Sequence, residues 1–226
     1  MESRLQNKRK ASDPHPDWYG ERMGRPRQFD EAGLLAAAVE LFWSKGFDSA
    51  SVEELSRATG VGNGSIYAAY GNKRGLFLAA FERYCERRAQ FVREVVLSTP
   101  GSARAAVRAL FQAVIDDCAA HPDRRGCLMI NSIAELGTRI PEVATISTHA
   151  TSAMEQGVAE RLGLGARRAG DDIDDCELSA LSANIVLVSQ GLIQLSRLGV
   201  PSRRLQEIAG VSSAALPAAW ADHVLA

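Results

Sequence analysis

Between Gly60 and Leu76 the chain reads GVGNGSIYAAYGNKRGL, five glycines around polar side chains suited to hydrogen bonding with an anionic polymer. Asn63 can pair bidentately with an adenine edge. Ser65 can donate to a phosphate or a base, and Tyr67 can donate its hydroxyl to a phosphate. Lys73 adds a cation at the start of a following helix, whose free backbone N–H groups also favour phosphate. Upstream, Arg25 and Arg27 flank Pro26 in a basic arm suited to a narrow minor groove; the alternative is a solvated tail. A second kind of chemistry belongs to Cys127, which follows Arg124 and Arg125. It is a candidate sensor of electrophiles or oxidants, the alternative being an inert buried thiol.

Other chemistries find no matching pattern. A phosphate cradle needs GxxxxGK[ST], or GxGxxG after a strand, and no strand precedes Gly60. GARRAG at 165–170 is followed by two aspartates, which repel phosphate. There is no GxSxG and no HExxH, and the four histidines stand at no telling spacing, so catalysis is not expected. The four cysteines, Cys85, Cys118, Cys127 and Cys176, form no CxxC pair, and neither a metal site nor a cofactor is expected. The net charge of −1 leaves nucleic acid open as a partner, because a local patch decides that. No apolar run approaches the roughly 20 residues of a membrane span, and the N-terminus lacks a signal-peptide core. The expectation is a reduced, cytoplasmic protein with no membrane partner.

These residues need elements to position them. Residues 1–23 carry mixed charges, Pro14, Pro16 and no periodicity, which predicts a disordered tail, with Met23 an alternative start. Asp30 is a candidate N-cap, Phe29 and Leu34 a candidate staple, and Leu34, Ala38, Leu41 and Phe42 recur at helical spacing until Gly46. Ser51 and Glu54 stand in capping-box register before a short helix reaching about Thr59. Asn63 to Tyr70 leaves room for two helical turns, with Ile66 and Tyr70 on one face. Asn72 then caps a long helix from Lys73 to about Leu97. TPGS at 99–102 is a linker, and breaks at 121–122, 137–141, 163–170 and 199–201 predict five further helices. The chain is expected to be all-α.

Two short helices joined by a tight glycine turn form a helix-turn-helix signature, in which the second helix enters the major groove. From GRPRQFD at Gly24, through AAAVELFWSKGF and SVEELSRATGVGNGSIYAAYGNKRGLF, to about Phe81, the residues resemble the TetR family of bacterial transcriptional regulators. The resemblance implies an N-terminal three-helix DNA-binding domain at 24–80, with its helix-turn-helix at about 51–70, and a C-terminal helical ligand-binding and dimerisation domain at 81–226. It implies a repressor of double-stranded operator DNA, acting as a homodimer and released by a small-molecule effector. Ser51, Asn63, Ser65, Tyr67 and Lys73 fall where family members touch DNA. Two departures stand out: Gly62 replaces a capping serine or threonine, and Ala68 and Ala69 offer only methyl groups for readout.

The C-terminal half is less specific. Leu178, Leu181, Ile185, Val188, Leu192 and Leu195 follow a 3–4 spacing where the resemblance places the dimer interface. GCLMINSIAELG at 126–137 resembles the start of a helix bordering the ligand cavity. That makes Cys127, Met129, Asn131, Ile133 and Leu136 candidate pocket residues. Two alternatives to the effector-released repressor stay open: a thiol-based sensor acting through Cys127, and an architectural DNA-binding protein without a ligand.

Overall fold

The structure, a computed structural model, describes residues 29–220; Arg25, Arg27, the 1–23 tail and Met23 lie outside the described residues. Among the described residues the protein is all-α. Its helices are α1 (Glu31–Ser49), α2 (Val52–Thr59), α3 (Asn63–Tyr70), α4 (Lys73–Ser98), α5 (Ala103–Ala119), α6 (Leu128–Leu136), α7 (Pro141–Ala169), α8 (Asp175–Arg197) and α9 (Ser202–Ala214), followed by one 3-10 turn (Ala218–Trp220).

The three N-terminal helices form where local chemistry dictates. Gly46 breaks helical geometry inside α1 at φ 77°, ψ 169°, so the regular part of that helix ends where the glycine demanded. Ser51 Oγ accepts from the Glu54 backbone N–H at 3.1 Å, while the Ser51 N–H donates to Glu54 Oε2 at 3.2 Å. This reciprocal box satisfies two otherwise unpaired donors of α2. Gly60 closes α2 in the left-handed region, and Asn72 Oδ1 caps α4 by accepting from the Gly75 N–H. Leu34, Phe42, Leu55, Ile66 and Phe77 close a core beneath the three helices.

α4 is the spine. Its 26 residues span about 39 Å at the usual rise, and it packs on α1 and α3 at one end and along α7 further on. The helix runs unbroken through position 80, so no linker separates the first three helices from the rest. At its far end the loop to α5 is held by Arg161 of α7, whose guanidinium donates to the carbonyls of Gly101 and Ser102 at 2.7 and 3.0 Å. The segment after α9 folds back over α7, where the buried Trp220 donates from Nε1 to Asp171 Oδ2 at 3.0 Å.

Three expectations need correction. The break at 163–170 is absent: α7 continues to Ala169, and only Gly170, at φ 69°, ends it. Gly165 is there for contact, since a Cβ on it would lie 2.6 Å from Ala103 Cβ at the start of α5. Contrary to the reading of no apolar run, α8 is long and apolar enough to cross a membrane, with a mean hydropathy of 1.5 over its best window. A third of that window is buried within the protomer, as in a helix that packs on one side. Finally, the proposed six-residue apolar face of α8 is not a single surface. Ile185 and Leu192 are buried inside the protomer, whereas Leu178, Leu181, Val188 and Leu195 are half-buried. The outward stripe is instead Ala180, Asn184, Leu187, Gly191 and Leu198, because α5, α7 and α9 already cover the 3–4 face.

Candidate nucleic-acid interface and effector chambers

The recognition surface is built on α3, which has only two turns and little stability of its own. It is fixed from both sides. Ile66 is buried beneath it, and Tyr70 Oη donates to Glu31 Oε1 of α1 at 3.0 Å. With that face anchored, Ser65, Tyr67 and Ala68 point to solvent, Tyr67 being 41% exposed. Gly62 provides no side-chain cap to α3, so its first backbone N–H groups stay available to an anion.

Asn63 sits at the first position of α3, and its Oδ1 is buried with no hydrogen-bond partner. Ser51 is half-buried, its oxygen occupied as the α2 cap, which leaves its hydroxyl hydrogen to donate outward. Lys73 also makes contacts within the protein. Its Nζ donates to the Asp48 carbonyl at 3.0 Å and lies 4.8 Å from the centre of the Phe47 ring, so it first of all ties α4 to α1. Tyr70 and Lys73 are thus the two pins that orient α3 and α4 against α1.

Further along α4, two small chambers share a wall made by Arg88, Cys127 and Ile193. One is polar, with Arg88, Asp117, His121, Arg124 and Arg197 around it. The other is apolar, with Val92, Val114, Met129, Met154 and Val186. Of the five candidate pocket residues, Cys127 and Met129 line these chambers. Asn131, Ile133 and Leu136 do not: Ile133 is 43% exposed, Leu136 is core, and Asn131 bonds Arg125 and Arg197 from outside. One turn of α6 faces the chambers while the next faces away, a distinction set by helix rotation that residue types alone do not reveal.

Cys127 precedes α6, is buried, and accepts from Tyr84 Oη at 3.4 Å. Burial, followed by the neighbouring Cys127, pushes the Tyr84 hydroxyl well above its ordinary range, so it stays a proton donor. Burial likewise pushes up the thiols of Cys85 and Cys118. The two arginines expected beside Cys127 diverge. Arg124 borders the polar chamber, whereas Arg125 pairs with Glu40 Oε2 at 2.6 Å and Asp123 Oδ2 at 2.7 Å, over the Trp43 ring. Sequence reasoning missed Tyr84, Arg88 and Arg197, each carried on a long helix with no local motif to mark it.

Residues 34–80, which hold α2, α3 and their supports, match the model of bacterial regulatory proteins of the tetR family. Over 195 residues the chain is 31% identical to the uncharacterized HTH-type transcriptional regulator YezE of Bacillus subtilis, covering 86% of this chain and all of that protein. The chain belongs to the TetR family. It is a DNA-binding transcriptional regulator of the helix-turn-helix type. It is also 28% identical to the HTH-type transcriptional repressor ComR of Escherichia coli, across 84% of this chain and 90% of that one. Among solved structures it resembles a cysteine mutant of the TetR family regulator CifR complexed with 26bp double-strand operator DNA. The TM-score is 0.67 at 30% identity, over 85% of this chain and 100% of that chain.

Proposed function

We propose that this regulator is a homodimeric repressor, cytoplasmic and acting at nucleoid DNA by binding and not by turnover, which leaves its operator when a small molecule occupies the chambers along α4. The observation that carries this reading is the placement of α4. Its first residue, Lys73, is pinned to α1 beside the recognition helix, while Tyr84, Arg88 and Val92 of the same helix line the chambers. A ligand that shifts α4 therefore shifts the seat of α3. In a dimer, two recognition helices about 34–36 Å apart meet successive major grooves, and a tilt of each breaks that register. DNA contact is assigned to Ser51, Asn63, Ser65 and Tyr67, with Lys73 as a positioning residue. Arg25 and Arg27 extend the contact into an adjacent minor groove.

The dimer surface is assigned to the outward stripe of α8. Leu187 and Leu198 are 65% and 79% exposed, and Gly191 has open space around it, which permits close approach of a second helix. Val211, 74% exposed on α9, extends the same apolar character. The test is an anisotropy titration of the DNA beside the gene, with small-molecule pools added. Release by one pool, with the operator weakening ligand binding by the same factor, supports the reading. Recognition helices at unchanged spacing with and without that ligand would refute it.

A second reading rests on Cys127, a buried cysteine that lines both chambers. An electrophile entering either chamber meets this thiol, and its alkylation fills the space a reversible ligand would take. N-ethylmaleimide should then release DNA from the wild type but not from Cys127→Ser; equal release from both rejects it.

A further inference from the structure

The polar chamber carries more positive charge than the protein itself neutralises. Arg88, half-buried, donates to Asp117 Oδ2 at 2.8 Å, which uses the one carboxylate lining that chamber. Arg124 and Arg197, both exposed at its mouth, have no acidic partner among the described residues. Their placement is built. Arg124 holds a φ of 53°, the one positive value outside glycine among the described residues. Its guanidinium occupies space that a side chain at position 199 would need, since a Cβ on Gly199 would lie 2.5 Å from Arg124 Nη1. Backbone of this kind persists where the surroundings enforce it, and it marks functional sites more often than idle surface. Arg197 lies against Gly126 in the same way and donates to Asn131 Oδ1.

The apolar chamber adjoins this cationic end, and Arg88, Cys127 and Ile193 line both. Two guanidinium groups without a carboxylate partner at one end and an apolar lining at the other are complementary to an anionic head with a short hydrocarbon body. We propose that the two chambers together bind one small carboxylic acid, its carboxylate on Arg124 and Arg197 and its chain against Val92, Met154 and Ile193. The proposal rests on the effector reading above and names the chemical class of that effector.

The same residues provide its route to the DNA-reading end. Asn131 holds Arg197 through Oδ1 and donates from Nδ2 to the Arg125 carbonyl at 2.8 Å. Arg125 in turn grips Glu40 and covers Trp43, both on α1. A carboxylate that draws Arg197 to itself takes it from Asn131, which loosens the turn presenting Arg125 to α1. A guanidinium shared with an amide changes partner readily, because the charged acceptor makes the stronger bond.

The test uses calorimetry on the full-length protein with butyrate, hexanoate, octanoate, hexanamide and inorganic phosphate, followed by operator titration with each binder. Hexanoate is expected to bind at least about tenfold more tightly than hexanamide or phosphate, a difference of about 1.4 kcal/mol. Arg124→Gln with Arg197→Gln should lose that preference while melting at the wild-type temperature, and Arg124→Lys should retain part of it. Equal binding of hexanoate and hexanamide, binding of phosphate alone, or no binding of any carboxylate overturns the proposal. In each of those cases the repressor reading stands if another small molecule releases DNA. Hexanoate that binds through the arginines without weakening the operator complex instead supports the site and refutes the release mechanism.

Discussion

The two ends of α4 are built by different rules. At the DNA-reading end, helices of eight residues are delimited by caps and glycines within a few positions: Ser51 with Glu54, Gly60, Gly71, Asn72. At the chamber end, helices of 17 to 29 residues are positioned by contacts distant in sequence, such as Arg88 of α4 with Asp117 of α5, or Arg161 of α7 with the carbonyls of Gly101 and Ser102 before α5. Short elements cannot hold themselves and must be specified locally. Long ones take their orientation from whatever they pack against. The proposed functions divide along the same line, with a pinned reading head at one end of α4 and the proposed effector chambers further along it.

Five substitutions, the last read through a pH profile, probe that division. The largest effect is expected where both ends depend on a second copy. Leu187→Glu places a charge on the outward stripe of α8, and should yield a monomer by sedimentation with operator affinity down by about two orders of magnitude or more. A variant still dimeric would move the interface elsewhere. Ile66→Ala removes the buried anchor of α3 and should cost about 2–5 kcal/mol by chemical denaturation. A loss well below that would mean α3 is held by Tyr70 and not by packing. Tyr67→Ala, on an exposed side chain, should weaken operator binding by about tenfold to a hundredfold with no change in melting temperature. Ser51→Ala should cost about 1 kcal/mol of stability through the lost cap, and less in affinity.

The smallest effect concerns pH. Asp48 pairs bidentately with Arg139, at 2.8 and 3.0 Å, linking α1 to the turn before α7. Hydrogen bonding from Arg139 holds the Asp48 carboxyl below its ordinary value. A depressed carboxylate contributes stability that is complete above its unfolded pKa and lost as pH falls through the folded one. Asp48→Asn should therefore lower stability slightly at neutral pH, leave the most acid end unchanged and so flatten the acid limb below about pH 4, a small effect because the pair is exposed. An acid limb identical to the wild type would assign it to Glu54 and Glu142, whose carboxyls are also held low by Lys45 and by backbone and Arg74 contacts.

The same division explains what could be read in the sequence. The boundaries of α2 and α3, the cap at Ser51, the cap at Asn72 and the bare N-terminus after Gly62 all follow from residues within four positions of one another. The break assigned at 163–170 failed because Gly165 serves helix approach, a role that depends on Ala103 some sixty residues earlier. The 3–4 leucine stripe of α8 divides between buried and half-buried positions, because its burial is decided by α5, α7 and α9 together. The polar chamber was invisible for the same reason. Arg88, Arg124 and Arg197 come from three separate segments, and of these only Arg124, beside Cys127, stands near a residue the sequence singles out.

The claim that α3 reads DNA is the one on which the rest depends. The most direct measurement is a fluorescence-anisotropy titration of the DNA upstream of the gene, using wild type and the double variant Ser65→Ala, Tyr67→Ala, with melting temperature recorded for both. The account predicts saturable wild-type binding that survives unrelated competitor DNA, and loss of that binding in a double variant that melts like the wild type. A double variant equally folded and equally tight would contradict it.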